Sequence, residues 1–297
     1  MCAMSKASEI SKNIWLGPSP DVILSTSVND PVLVQDFDLL IEASDVANIP
    51  GPRLLEKVGQ RLANKPARRL VFSFPSSGSI LPTDHKKDID DFISTVRWIY
   101  HLANPETTAR EVDADGDTVI ESCGETDGVK VLIHCPDGYT ESSLLAVAYL
   151  MFAEGLPLHE AWLKLHTEKG RNFFAYPSDV AFLCTIQQRL LRESPAAQGM
   201  SPACLAGPAW LERMDGSLPS RILPYMYLGN LTHADNPELL YALGIRRVLS
   251  VGEPVSWTDA DIEKWGAHNL MYVDLVQDNG IDPLTEKFER CLEFIGE

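Results

Sequence analysis

A chain of 297 residues, 45% hydrophobic and 8% aromatic, is long enough to bury two ordinary domain cores. Its net charge of −17, from 25 Lys and Arg against 42 Asp and Glu, argues against nucleic acid and against an anionic membrane surface, since both need basic patches. The six cysteines have no paired metal spacing, so reduced thiols, a cytoplasmic or nuclear setting, no metal and no cofactor are expected.

The start of the chain, MCAMSKASEISKN, lacks the apolar region of a signal peptide, and no run approaches the length of a membrane span. Residues 1–9 are expected as a tail. From Ile10 to Gly17 the chain reads ISKNIWLG, and from Ile222 to Gly229 it reads ILPYMYLG. Isoleucine, an aromatic and Leu-Gly recur at matching offsets, which points to one structural unit occurring twice.

Phe37 to Glu42 is a predicted strand. A helix follows through LLEKVGQRLANKPARR, with Leu54, Val58 and Leu62 as its apolar stripe. Leu70 to Phe74 is a further strand. Asp88 to Leu102 is a helix turning Ile89, Phe92, Ile93, Val96 and Ile99 inward. Strands alternating with helices imply an α/β layer structure, with ligands at the carboxyl ends of its strands.

Between Asn104 and Gly128 lies an acidic insertion, expected to be a solvated surface loop. Asp113, Asp115 and Asp117 resemble the start of a calcium loop, but the glycine is misplaced and Gly124 holds the position of the closing glutamate.

The stretch VLIHCPDGYTESSLLAVAYLMF, Val131 to Phe152, changes character within itself. Val131 to His134 is a short buried strand. From Ser142 the apolar residues recur at helical spacing, with Ser142 or Thr140 available as cap. Cys135 therefore sits where a strand stops, before a glycine-containing loop that opens a helix. Converging backbone N–H groups and a helix N-terminus make such a turn an anion site and activate a cysteine thiolate.

Downstream, one helix is predicted from Leu158 to about His166 and another, capped by Ser178 or Asp179, to Leu191. Residues 193–219 are rich in Pro, Gly, Ser and Ala and are expected as a linker, with Trp210 docked. In 220–297, Met226–Leu228 is a predicted strand, Pro237–Leu243 a helix ended by Gly244, Arg247–Val251 a strand, and Leu284–Ile295 a helix.

HCPDGYTES resembles the phosphate-binding loop of the cysteine-dependent dual-specificity protein phosphatases, whose pattern is His-Cys, five residues, Arg, then Ser or Thr. RILPYMYLGNLTHADNPELLYALGIRRVLSVGEP resembles the opening of such a domain, and YVDLVQDNGIDPLTEKFERCLEFI its general-acid region. The whole is similar to the fungal two-domain form, with a degenerate first domain (10–192) and the N-terminal part of a second (220–297).

The resemblance implies a central, mostly parallel sheet flanked by helices. It places the nucleophile at Cys135 and the phosphate loop on His134, Cys135, Pro136, Asp137, Gly138, Tyr139, Thr140, Glu141 and Ser142, with Ser142 at the family's hydroxyl position. It places the general acid of the second domain at Asp278. In the first domain Ser77 stands at the equivalent point. Asp84, several residues later beside Lys86 and Lys87, is the remaining acid candidate, against a reading as a solvated aspartate.

Glu141 stands where the family has its arginine, so the sign of the pocket is reversed. The expectation is a protonated Cys135, its pKa raised by Asp137 and Glu141, and weak phosphate binding. Arg171 is either a substitute cation or a structural partner. The family would supply a further strand and a cysteine-arginine loop after Ile295; with the chain stopping at Glu297, an open sheet edge, exposed apolar surface and poor order are expected for 220–297. Three readings follow: a protein phosphatase whose activity lies outside these residues, a pseudophosphatase that binds phosphoproteins or other proteins, and a slow enzyme using Cys135.

Overall fold

In the computed structural model of the chain the described residues are 6–20, 37–64, 69–79, 85–105, 110–112, 118–120, 128–197, 207–276, 279, 281 and 284–296. The chain divides into two compact units, Met1–Gly207 and Pro208–Glu297.

The first unit is built on a five-stranded sheet. Its members are β1 (Ser8–Ser11), β2 (Ile14–Pro18), β3 (Leu39–Ser44), β4 (Leu70–Pro75) and, after the separate hairpin of β5 (Arg110–Val112) and β6 (Thr118–Ile120), β7 (Val131–Cys135). Their order is β1-β2-β7-β3-β4. Strand β1 pairs antiparallel with β2; β2, β7, β3 and β4 all run parallel. As the central strand β7 is buried along all five residues, the pattern of a parallel strand covered on both faces. This is the α/β architecture that the alternation of elements predicts, in the mostly parallel, helix-flanked form that the family resemblance implies.

Among the described residues five helices flank the sheet: α1 (Pro52–Asn64), α2 (Lys86–Ala103), α3 (Ser143–Glu154), α4 (Leu158–Thr167) and α5 (Pro177–Arg192). In α3 every residue from Ser143 to Phe152 is buried. Phe92 of α2 meets Phe74 of β4 and Phe182 of α5 at ring separations of 5.7 and 5.0 Å, which knits sheet and helices into one core. Among the described residues no single helix is long and apolar enough to cross a membrane.

Local expectations are corrected in several places. The buried stripe of α1 runs through Leu55 and Val58, and Leu54 is 43% exposed, because the stripe lies one residue round the helix from the expected one. Helix α5 takes Tyr176 as its N-cap with Pro177 inside the first turn and no side-chain cap bond; Asp179 instead accepts the amide of Gly78 at 2.9 Å. The acidic insertion carries the β5–β6 hairpin rather than loop alone, since Val112, Val119 and Ile120 favour extended pairing. Asp113, Asp115, Asp117 and Gly124 lie outside the described residues.

The second unit begins with α6 (Ala209–Glu212). It continues through β8 (Ser220–Leu223), β9 (Met226–Leu228), α7 (Leu231–Ala234), α8 (Pro237–Ala242), β10 (Val248–Val251), α9 (Asp259–Trp265), β11 (Leu270–Val273) and α10 (Phe288–Gly296). A 3-10 turn, Leu284–Lys287, precedes α10, so the predicted last helix starts as a tighter turn. Trp210 and Leu218, within the stretch expected as linker, are buried, and the Trp210 carbonyl accepts Asn236 Nδ2 at 3.0 Å.

The repeat read from ISKNIWLG and ILPYMYLG is present in the backbone. In the first hairpin Ser8 faces Leu16, Glu9 faces Trp15 and Ser11 faces Ile14. In the second, Ser220 faces Leu228, Arg221 faces Tyr227 and Leu223 faces Met226. Each partner is shifted by 212 residues, Ser8 to Ser220 and Leu16 to Leu228, and both hairpins carry their register shift at the same place.

Candidate functional site

The site lies at the carboxyl end of β7. Strand pairing sets His134 beside Gly17 and Glu42, and Cys135 beside Pro18. The chain then turns through Pro136–Glu141 into α3. Gly138 holds φ +73°, and a Cβ there would lie 2.4 Å from the Pro18 nitrogen; only glycine lets the loop press against the end of β2.

Ser142 is the N-cap of α3 but makes no side-chain cap bond, and Thr140 offers the helix its carbonyl, which accepts the Ser143 amide at 3.0 Å. The expected capping by either side chain gives way to another acceptor. Ser77, from the turn after β4, accepts the Leu144 amide on its Oγ at 2.8 Å and meets Ser143 Oγ at 2.9 Å. Its own amide donates to the Glu141 carbonyl at 2.7 Å. A first-turn amide of α3 is thus satisfied from another loop, which frees Ser142 Oγ to lie 3.8 Å from Cys135 Sγ.

Cys135 is fully buried, with 0% exposure, and its Sγ donates to Asp137 Oδ1 at 3.5 Å. Asp137 Oδ1 also accepts the Tyr139 amide at 2.9 Å. Burial is the main cause that pushes the Cys135 pKa up to about 11, and the Glu141 carboxylate adds to it. The order of causes differs from the expectation, which gave the two carboxylates the leading part. Burial also lowers the pKa of His134, opposed by the charge of Glu42, and both His134 ring nitrogens are buried without a hydrogen-bond partner.

One ligand atom each from Cys135, Asp137 and Glu141 lies within 4.8 Å of the others, and Glu141 Oε2 is buried without a partner. Donors of these types suit a cation and oppose an anion.

Arg171 is fully buried. Its guanidinium donates to Ser8 Oγ at 2.7 and 3.0 Å, to the Lys6 carbonyl at 2.8 Å and to the Leu16 carbonyl. These partners lie on the N-terminal hairpin and its approach, so the residue is a bolt for β1 and β2 rather than a cation facing Cys135. Asp84 and Asp278 lie outside the described residues.

Two residues whose part in the site the sequence did not show hold it together. In the sequence Ser77 is only the residue standing in an acid's place, and its Ser-Ser-Gly turn is the one feature there that points to a strut. Asp179 is buried, its Oδ1 lacks a partner, and burial pushes its pKa up to about 6. Gly78, which it holds, has φ +78° and packs so close to the Tyr176 ring that a Cβ would stand 2.9 Å from it.

No family model matches the chain. Over 275 residues, 81% of its length, the chain is 30% identical to dual specificity protein phosphatase PPS1 of Saccharomyces cerevisiae, of which it spans 31%. Over 56 residues it is 43% identical to dual specificity protein phosphatase PHS1 of Arabidopsis thaliana, a match covering 19% of this chain and 6% of the plant protein. Among solved structures a point variant of human DUSP28 aligns at 14% identity and a TM-score of 0.36, covering 64% of this chain and 99% of that one.

Proposed function

As the chain belongs to the dual-specificity protein phosphatase family, we propose that its first unit, residues 10–192, is a phosphatase-shaped module that does not turn over phosphoesters and works by binding proteins. The observation that carries this reading is the buried Cys135 thiol beside Glu141, with a pKa of about 11. At neutral pH roughly one thiol in ten thousand would be ionised, so the nucleophile is withheld. The charge that builds on a transferring phosphoryl group would meet carboxylates instead of an arginine fork. Arg171 offers no remedy, because its guanidinium is spent on Ser8, Lys6 and Leu16.

The loop is nevertheless well built: Ser77, Gly138 and Asp179 fix it, and α3 behind it is buried. A framework kept in this form with its chemistry reversed suits recognition of partner proteins by surface. For the longer polypeptide the family suggests hydrolysis of phosphotyrosine and of phosphoserine or phosphothreonine through a cysteinyl-phosphate, with phosphoproteins as substrates. Residues 220–297 would be the opening of a second such domain, with Asp278 in the general-acid position.

The test is a phosphatase assay on the full chain and on Cys135→Ser, with p-nitrophenyl phosphate and phosphopeptides. Equal, background rates are expected. A rate that Cys135→Ser abolishes would make the first unit an enzyme.

A further inference from the structure

The turn of Ser77 and Gly78 is held from two directions. On one side Ser76 Oγ donates to Asp45, after β3. On the other, the segment that leads into α5 touches both the turn and the loop. Asp179 Oδ2 accepts the Gly78 amide at 2.9 Å, the Tyr176 ring packs on Gly78, and the Phe174 amide donates to Thr140 Oγ1 at 3.4 Å. Because Ser77 caps α3 and donates to the Glu141 carbonyl, residues 174–179 form a clamp across the loop and its strut.

One group in the clamp can gain a charge that nothing near it answers. Asp179 is 2% exposed, and its Oδ1 has no hydrogen-bond partner. The cavity beside it is lined from α3 by Ser143, Leu144 and Val147, from α4 by Leu158 and Trp162, and by Ala175. None of these carries a charge. The titratable groups that meet the turn itself are the Tyr176 phenol, against Gly78, and the Asp45 carboxyl, on Ser76. At about 10 Å³ the cavity holds one water at most. An ionised Asp179 is therefore hydrated only when the clamp lets go, and burial accordingly pushes its pKa up to about 6.

We propose that residues 174–179 are a proton-operated clamp on the loop: with Asp179 protonated they hold the turn of Ser77 and Gly78 closed, and its ionisation opens that turn locally without unfolding the sheet. The sign follows from burial. The closed form prefers the protonated acid, so opening becomes easier as pH rises from the ordinary 3.8 through about 6. The consequence for partners, a loop firm in acid and loosened near neutrality, rests on reading the loop as a recognition surface; the opening itself does not.

Amide hydrogen exchange on the full chain, corrected for the intrinsic rate, tests the clamp at Gly78 and Leu144 with β7 as the reference. Between pH 5 and 7 protection at both amides should fall about tenfold. At each pH it should stay below that of β7, as local opening requires. In Asp179→Asn the fall should vanish. Should that variant not fold, the parent decides, because the fall must flatten once pH is well above 6. Protection at Gly78 and Leu144 that is level with β7, constant across pH, or falling equally in Asp179→Asn overturns the proposal. None of these readings depends on turnover at Cys135, so a phosphatase activity there would remove the recognition reading and leave the clamp standing.

Discussion

The Ser77 amide donates to the Glu141 carbonyl at 2.7 Å, so the turn after β4 is tied to the residue that reverses the sign of the loop. Through the same serine the turn reaches the Leu144 amide and the Ser143 hydroxyl. The loop is therefore held in shape from outside by neutral hydrogen bonds, independently of any charge it might bind.

Ser77→Ala should expose that dependence. It leaves the buried Leu144 amide without its acceptor and removes the contact to Ser143, at a cost of about 1–2 kcal/mol. Urea unfolding followed by tryptophan fluorescence measures it, and an unchanged midpoint would mean that the strut contributes nothing.

Arg171→Met tests the bolt. The carbonyls of Lys6 and Leu16 lose their donor, and destabilisation of about 3 kcal/mol is expected. The pH profile of Cys135 alkylation should stay where it is. A profile that moves up in pH would instead show Arg171 acting on the thiol.

Asp179 gives a pH dependence with a definite sign. Its folded pKa of about 6 lies above the ordinary 3.8, so the native state holds the proton more tightly than the unfolded chain. The stabilising contribution is complete below about pH 4 and is lost as pH rises through about 6, on the order of 3 kcal/mol in all. Stability measured from pH 4 to 7 should fall in the parent relative to Asp179→Asn by that amount. Parallel curves would contradict the assignment.

Glu141→Arg restores a cation on a loop whose backbone is already in place. A guanidinium within about 4–6 Å lowers a thiol pKa by roughly 1–3 units, so Cys135 should alkylate at lower pH, and inorganic phosphate should protect it. Failure of phosphate to protect would show that the turn no longer has the shape of an anion cradle.

Much of this was legible in the chain. The continuous apolar run of Val131–His134, followed by a glycine turn and a helical repeat, gave the strand, the loop and α3, because burial on both faces removes the alternation that an exposed strand would show. The repeat of Ile, aromatic and Leu-Gly gave one structural unit occurring twice, though not that the unit is a hairpin. The capping of α3 by Ser77 was not legible, since the donor and acceptor stand 67 residues apart. A structural part for Arg171 was one of the two readings open in the sequence, but its partners, the Ser8 hydroxyl and two backbone carbonyls, were not legible because they stand far along the chain. Burial outweighing charge at Cys135 is a property of packing that no local sequence records.

The most direct test of the central claim is the rate of iodoacetamide labelling at Cys135 in the full chain, read by mass spectrometry against pH with Cys135→Ser as the blank. The account predicts a profile still rising at the alkaline limit, with its midpoint near 11. A midpoint below about 7, the range of activated thiolates, would contradict it.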